Sequence, residues 1–454
     1  MMFLWGAATS SHQIDGNNVA SDWWRWEQEG NIEGGESSSL ACDHWNRFPE
    51  DLRLASELGL NSYRFSIEWA RLEPEEGKWE RSAFEWYREL LDQCEKYKLL
   101  PMATLHHFTL PEWVASRGGF TNEHTPGWFT GYVKRVVQSF GSRIPLWCTL
   151  NEPNTLAIGQ YLGGYMPPAQ YQPNHVTLAS RNLLKCHVQG YDTIHGKMPQ
   201  RQGPWREHPL MVGIAHNMID FVPWNRGNPI EQFLTQTIRR FYNQTWPDAV
   251  TGRKQHFGIR GFLPYAPQVT TARGRRTSDF IGVNYYTKIY VCFRPFRMGS
   301  TADENAFPMS STSAVGITFS KKADPVSDVG WVIHPKGLGR MLRFLGRYRL
   351  PIYITENGIA DRLDEKRADF IDSHLREVFL AQRNGIDVRG YFHWSLLDNF
   401  EWVKGFAPRF GLYEVDYLTQ ERRRRPSADF LTQAIQKFLQ RAKLEWENGE
   451  SITK

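Results

Sequence analysis

The sequence predicts an α/β fold, a single (β/α)8 TIM barrel with long βα loops. Three observations point there. Apolar runs of strand length recur near residues 3–9, 61–66, 101–106, 145–150, 210–215, 279–284, 351–355 and 389–394, with helical patterns between them. No Gly/Ser- or Pro-rich linker divides the chain, so one domain is expected over 1–454, its tail fraying from about 440. No Gly-x-Gly-x-x-Gly follows the first run, which argues against a doubly wound dinucleotide sheet.

The opening residues, Met1-Met2-Phe3-Leu4-Trp5-Gly6-Ala7-Ala8-Thr9, lack the basic and long apolar regions of a signal peptide and read as the first strand. Between later runs, apolar side chains recur at helical spacing. Phe84, Tyr87, Leu91 and Cys94 share one face of 83–98, and Phe129, Val133, Val136, Val137 and Phe140 one face of 128–140. Phe370, Ile371, Leu375, Val378 and Phe379 do the same in 366–382. The stretch 294–330 is long, Ser/Pro-rich and without helical pattern, which marks a lid or pocket wall.

Composition narrows the function classes. Apolar residues at 41% supply a large core, yet no stretch approaches 18 uncharged apolar residues, so no membrane span is expected. Charges of both signs interleave, and the one basic block, Arg422-Arg423-Arg424-Arg425, reads as a surface segment beside the last helix. Neither nucleic acid nor membrane is an expected partner. Cys42, Cys94, Cys148, Cys186 and Cys292 are scattered without a Cys-x-x-Cys, which fits reduced thiols in the cytoplasm. The sequon Asn243-Gln244-Thr245 is uninformative in that compartment. No His-Glu-x-x-His or paired Cys/His spacing is present, so no metal is expected, and no motif implies a nucleotide or organic cofactor.

In a barrel the chemistry lies at the C-terminal ends of the strands. Reading those ends in order gives Gln13, Arg64, His107, Asn151 with Glu152, His216 with Asn217, Asn284 with Tyr286, Glu356 and Trp394. Every strand thus delivers a polar or indole group to one rim. Two of them are glutamates closing apolar runs, in Thr149-Leu150-Asn151-Glu152-Pro153-Asn154 and Tyr353-Ile354-Thr355-Glu356-Asn357-Gly358. A carboxylate there is costly to bury unless it is used. Paired carboxylates flanking a bond are the usual apparatus for cleaving a glycoside. Aromatic residues, 14% of the chain, are mostly core, and those left accessible suit the apolar faces of sugar rings.

Four segments together resemble glycoside hydrolase family 1, the β-glucosidase and β-galactosidase family of (β/α)8 barrels. Phe3-Leu4-Trp5-Gly6-Ala7-Ala8-Thr9-Ser10-Ser11-His12-Gln13-Ile14-Asp15-Gly16 is similar to its N-terminal signature. Thr149-Leu150-Asn151-Glu152-Pro153 is similar to its acid/base motif, and Ile354-Thr355-Glu356-Asn357-Gly358 to its nucleophile motif. Trp394-Ser395-Leu396-Leu397-Asp398-Asn399-Phe400-Glu401-Trp402 resembles its sugar-binding segment. The resemblance implies a retaining, exo-acting β-glycosidase acting on terminal β-D-glucosides, with β-galactosides and β-fucosides also accepted. Its partners would be small β-glycosides or short oligosaccharides, and self-association is left open. By resemblance Glu356 is the nucleophile, kept ionised by Arg64 and Tyr286, and Glu152 the acid/base. Asn151 would bond the 2-hydroxyl, while Gln13, His107, Glu401 and Trp402 hold the other hydroxyls. Trp394 would lie beneath the ring, Asn284 would brace the site, Phe410 would line the pocket, and His106 would be structural.

The chain departs from the family pattern in places. Asp15 stands where Glu is usual, and Asn154 follows Asn-Glu-Pro where Trp is common, which implies a more polar or more open leaving-group side. His107-Phe108-Thr109-Leu110-Pro111 replaces His-Trp-Asp-Leu-Pro. The alternatives are a 6-phospho-β-glycosidase, disfavoured by a carboxylate at Glu401 and by Val403–Arg409, and a catalytically weak carbohydrate-binding barrel.

Overall fold

Strand-forming runs recur eight times because eight parallel strands close on one another. The computed structural model describes residues 2–253, 257, 274–293, 306–308 and 315–447. Among them, β1 (Leu4–Ala8), β2 (Ser62–Ser66), β3 (Leu100–Thr104), β4 (Leu146–Asn151), β5 (Met211–Pro223) and β6 (Phe280–Phe293) come first. Two short strands, β7 (Ala306–Pro308) and β8 (Val315–Thr318), precede β9 (Ile352–Asn357) and β10 (Val388–Trp394). Pairing runs β5-β4-β3-β2-β1-β10-β9-β6, and β6 returns to β5, so the sheet is a closed parallel barrel. Its strands are buried on both faces, as parallel sheets wrapped by helices are.

The expected helices form around it, over Arg81–Lys96, Thr125–Phe140 and Arg367–Arg383. The side chains expected on their inner faces are buried, except Phe379, which is half-buried against Trp5 and Phe438. No described helix is long and apolar enough to cross a membrane.

β5 and β6 outrun their expected ends. Asn217 and Asn284 read as strand termini because they are polar, but both strands continue past the rim as a paired ribbon, Asp220 against Lys288 and Val222 against Tyr290. The ribbon has its own apolar cluster of Phe221, Ile289 and Val291, backed by Leu234, Ile238, Tyr242 and Ile317. Of the stretch 294–330, residues 294–305 and 309–314 lie outside the described residues. Its described part adds β8 antiparallel to β6 and leads to Trp331, whose ring meets Tyr286 at 5.6 Å and Phe410 at 6.2 Å.

The arginine run is not a plain surface segment. Arg422–Arg424 form a short strand, and two arginines of the block reach buried carboxylates. Arg422 pairs with buried Asp51 at 2.8 Å and Arg425 with buried Asp398 at 2.8 Å. Only Arg423 and Arg424 reach solvent, and they pair with Glu421 and Asp429. The sequon is closed as well: Asn243 is buried, its amide bonded to both main-chain atoms of Ile219.

Candidate active site

Register brings the rim residues together. Asn217 stands opposite Asn284, and Asn284 opposite Glu356, so three neighbouring strands present them in a row. Side chains alternate along a strand, so Asn284 and Tyr286 share the inner face, and only one of His216 and Asn217 can join them. It is Asn217. His216 is fully buried away from the rim, with Nε2 3.3 Å from the Asn243 carbonyl.

Glu152 closes β4 in a left-handed conformation, φ 44° and ψ 54°, rare for a side chain of its size. Its N–H donates to the Ala215 carbonyl at 2.7 Å, and Pro153 starts the following helix, Pro153–Ile158. Glu356 lies one residue before the end of β9, beyond which Gly358 permits a close crossing. A Cβ there would sit 1.7 Å from the Trp394 carbonyl oxygen, so no larger residue lets the end of β9 approach Trp394.

Both glutamates are buried in one hydrogen-bonded network. Arg64, fully buried, donates to Glu356 Oε1 at 2.7 Å, Asn151 Oδ1 at 2.7 Å and the Thr355 carbonyl at 3.0 Å. Tyr286 donates its phenol hydrogen to Glu356 Oε2 at 2.6 Å. Asn284 Nδ2 donates to Glu152 Oε1 at 2.8 Å and Asn151 Oδ1 at 3.1 Å, while its own oxygen accepts from Thr355 Oγ1 at 2.6 Å. Asn217 Nδ2 donates to Glu152 Oε1 at 2.9 Å.

The two carboxyls differ in what faces them. Burial, reinforced by the charge of Glu356, pushes Glu152 up to about 7, and its hydrogen-bond donors are neutral amides and a hydroxyl. Burial also raises Glu356, but the Arg64 guanidinium and the Tyr286 hydroxyl pull it back. The shared proton therefore resides on Glu152, and the negative charge on Glu356.

The residues expected to bind a ligand surround this pair. His107 Nε2 lies 3.1 Å from Asn151 Nδ2, and burial beside Arg64 holds the imidazole neutral. The ring packs nearly parallel to Trp394 at 6.0 Å and Trp402 at 6.1 Å. Trp402 also stacks on His12, 5.5 Å away. Trp394 Nε1 donates to Glu401 Oε1 at 3.1 Å, and burial lifts Glu401 to about 8. Gln13 Nε2 donates to Asn399 Oδ1 at 3.0 Å and leaves Oε1 without a protein partner. Phe410 backs Tyr286 edge-on at 6.3 Å. His106 packs on Phe120 with both ring nitrogens unpartnered. Asn154 turns its amide to the carbonyls of Asn217 and Tyr242, at 3.0 and 3.4 Å, and is buried.

Sequence reading gave Asn217 a place on the rim but no role, and passed over Trp331 and Tyr242. Strand alternation alone would have chosen Asn217 over His216. Trp331 and Tyr242 lie in segments whose patterns carry no such signal.

Such an arrangement, a neutral acid and an ionised carboxylate in one aromatic-walled site, can donate a proton and attack an electrophilic carbon. The family model described as glycosyl hydrolase family 1 matches residues 1–438. The 1,4-beta-D-glucan glucohydrolase of Thermotoga neapolitana is 31% identical over 447 residues, covering 92% of this chain and 98% of its own. Beta-glucosidase A of Thermotoga maritima is also 31% identical, covering 92% and 94%. Among solved structures, a beta-glycosidase from Pyrococcus horikoshii superposes with a TM-score of 0.82 at 37% identity, covering 95% of this chain and 93% of that one. The Thermotoga maritima beta-glucosidase in complex with glucoimidazole gives 0.82 at 29% identity, covering 96% and 98%.

Proposed function

The chain belongs to glycosyl hydrolase family 1, and on that basis we propose that it is a retaining exo-β-glycosidase releasing terminal β-D-glucose, with β-galactosides and β-fucosides as further substrates. One observation carries this reading. Two buried carboxyls meet in one network, one held by a guanidinium and a phenol, the other only by neutral donors. Glu356 attacks the anomeric carbon while Glu152 protonates the leaving oxygen, whose bond to carbon breaks with its electron pair. Water then displaces Glu356, and Glu152 takes that water's proton. Asn151 keeps one N–H of Nδ2 for the 2-hydroxyl, since its oxygen already accepts from Arg64 and Asn284. Gln13, Glu401 and Trp402 take the remaining hydroxyls over Trp394.

A 6-phosphoryl group is disfavoured for a reason other than carboxylate repulsion. Burial keeps Glu401 protonated near neutral pH, and the two cations that follow it in the chain are engaged: Lys404 pairs with Glu33, and Arg409 with Asp398 against the Tyr417 ring. The buried cysteines, none in a disulfide, support a reducing, cytoplasmic setting.

The test is Glu356→Ala assayed on aryl β-glucosides with and without azide. Activity should vanish, and azide should restore turnover as the inverted glycosyl azide. A retained-configuration azide from this variant overturns the assignment of Glu356. Comparing gluco-, galacto- and fuco-configured aryl glycosides then ranks the substrates.

A further inference from the structure

Two amides hold the same oxygen of Glu152. Asn217 Nδ2 and Asn284 Nδ2 donate to Oε1 at 2.9 and 2.8 Å. An amide N–H donates and cannot accept, so Oε1 is occupied as an acceptor and a proton on this carboxyl sits on Oε2. That choice holds only while Asn217 keeps its NH2 toward Glu152. If the amide turned over, its oxygen would face Oε1 and draw the proton there.

Asn217 is kept in place from outside the barrel. Tyr242 Oη donates to Asn217 Oδ1 at 2.9 Å, a bond that the NH2 group could not accept. Thr155 Oγ1 lies 2.9 Å from the same phenol oxygen. Tyr242 owes its place to a π-helical turn, Arg240–Gln244. Such turns insert one extra residue into a helix. Here the turn lets consecutive residues face the β5–β6 ribbon: Asn243 brackets Ile219, and Tyr242 rests edge-on against Phe221 at 5.4 Å. Asn154 fastens the main chains of Asn217 and Tyr242 together.

We infer that Tyr242 is a positioning residue which, through Asn217, fixes the proton of Glu152 on Oε2. The inference rests on the acid/base reading of Glu152. Other groups that face this carboxyl are Glu356 from β9, Tyr286 from β6, and Thr155 and Tyr165 from the segment after β4. The phenols of Tyr165, Tyr242 and Tyr286 all have their ionisation pushed up by burial, so Glu356 is the charge among them near neutral pH.

The test is Tyr242→Phe beside Glu152→Ala, with kcat and KM measured across pH on a dinitrophenyl and an alkyl β-glucoside, and thermal midpoints recorded. For Tyr242→Phe the alkyl substrate, which needs the proton, should lose roughly five- to tenfold in kcat, the scale of one hydrogen bond, with KM little changed. The dinitrophenyl substrate should stay within about twofold. The alkaline limb should move to higher pH, because the Asn217 N–H that pulls Glu152 down is no longer held. Equal effects on both substrates, or an unmoved alkaline limb, would reduce Tyr242 to a packing residue whatever the midpoint does. If Glu152→Ala itself fails to separate the two leaving groups, the acid reading falls. If it separates them and Tyr242→Phe does not, only the positioning role falls.

Discussion

Removing the charge of Glu356 while keeping its shape, as in Glu356→Gln, should make Glu152 a stronger acid. The direction follows from sign: a negative neighbour disfavours a second negative charge, so its loss favours ionised Glu152. Glu152 sits at about 7 rather than 4.5, a preference for the neutral form of about 3 kcal/mol. Burial is the first cause and the Glu356 charge the second, with the Asn217 and Asn284 amides pulling the other way. Like charges ~5 Å apart, the spacing of a retaining pair, repel by about 3 kcal/mol at an effective dielectric of about 20. Glu152 should therefore fall by about two pH units in the variant. The assay is a carbon-13 titration of carboxyl-labelled glutamate, with the Glu152 signal assigned through Glu152→Gln. A Glu152 resonance that titrates unchanged, or at higher pH, would refute the charge coupling and with it the shared site. Esterification of Glu356 in the proposed intermediate removes the same charge, which is how one side chain can serve first as acid and then as base.

Tyr286→Phe removes a charge-assisted hydrogen bond of 2.6 Å to Glu356, worth about 1.5–3 kcal/mol, so Glu356 should hold its proton more tightly. The acid limb of kcat/KM against pH should rise by about one to two units, and an unmoved limb would count against Tyr286 as its support. Arg64→Met leaves Glu356 buried without its cation, and should cost about 3–5 kcal/mol at pH 8 in denaturant unfolding. The cost should be smaller at pH 5, where a protonated Glu356 no longer needs the guanidinium; a larger cost at pH 5 would contradict this. Asp22, raised by burial to about 8, binds a proton in the folded state that the unfolded chain releases near 4. Its contribution is present below pH 4 and lost as pH climbs to 8. In Asp22→Asn the side-chain amide oxygen could still accept from the Leu110 and Trp23 N–H groups, so the variant should flatten the decline and raise the thermal midpoint at pH 9. A lower midpoint there would show that the carboxyl itself is needed.

The barrel was legible because apolar runs of five to seven residues, flanked by helical periodicity, recur eight times, and because they close on polar side chains. The same rule misplaced the ends of β5 and β6, where Asn217 and Asn284 are polar in mid-strand because they face the site rather than solvent. Glu152 and Glu356 could be read from local motifs, since each lies beside its turn-former. Tyr242 could not, because its partner Asn217 is twenty-five residues earlier and the π turn that aims it has no sequence mark. The arginine block misled because charge composition does not show which side chains meet a buried carboxylate: Arg422 does, at Asp51, while Arg423 pairs at the surface with Glu421. Asn154 showed the polar character expected of it, but its amide is tied to neighbouring carbonyls instead of opening the cleft.

The five buried thiols give the molecule an internal set of reporters. Cys148 lies in the barrel wall near Arg64, Cys94 and Cys186 in the helical shell, Cys292 in the ribbon, and Cys42 beside the Asp398 carbonyl. An alkylating reagent reaches each one only when its own neighbourhood opens. Peptide-resolved labelling of the unmodified protein would rank the breathing of wall, shell and ribbon, without an engineered probe.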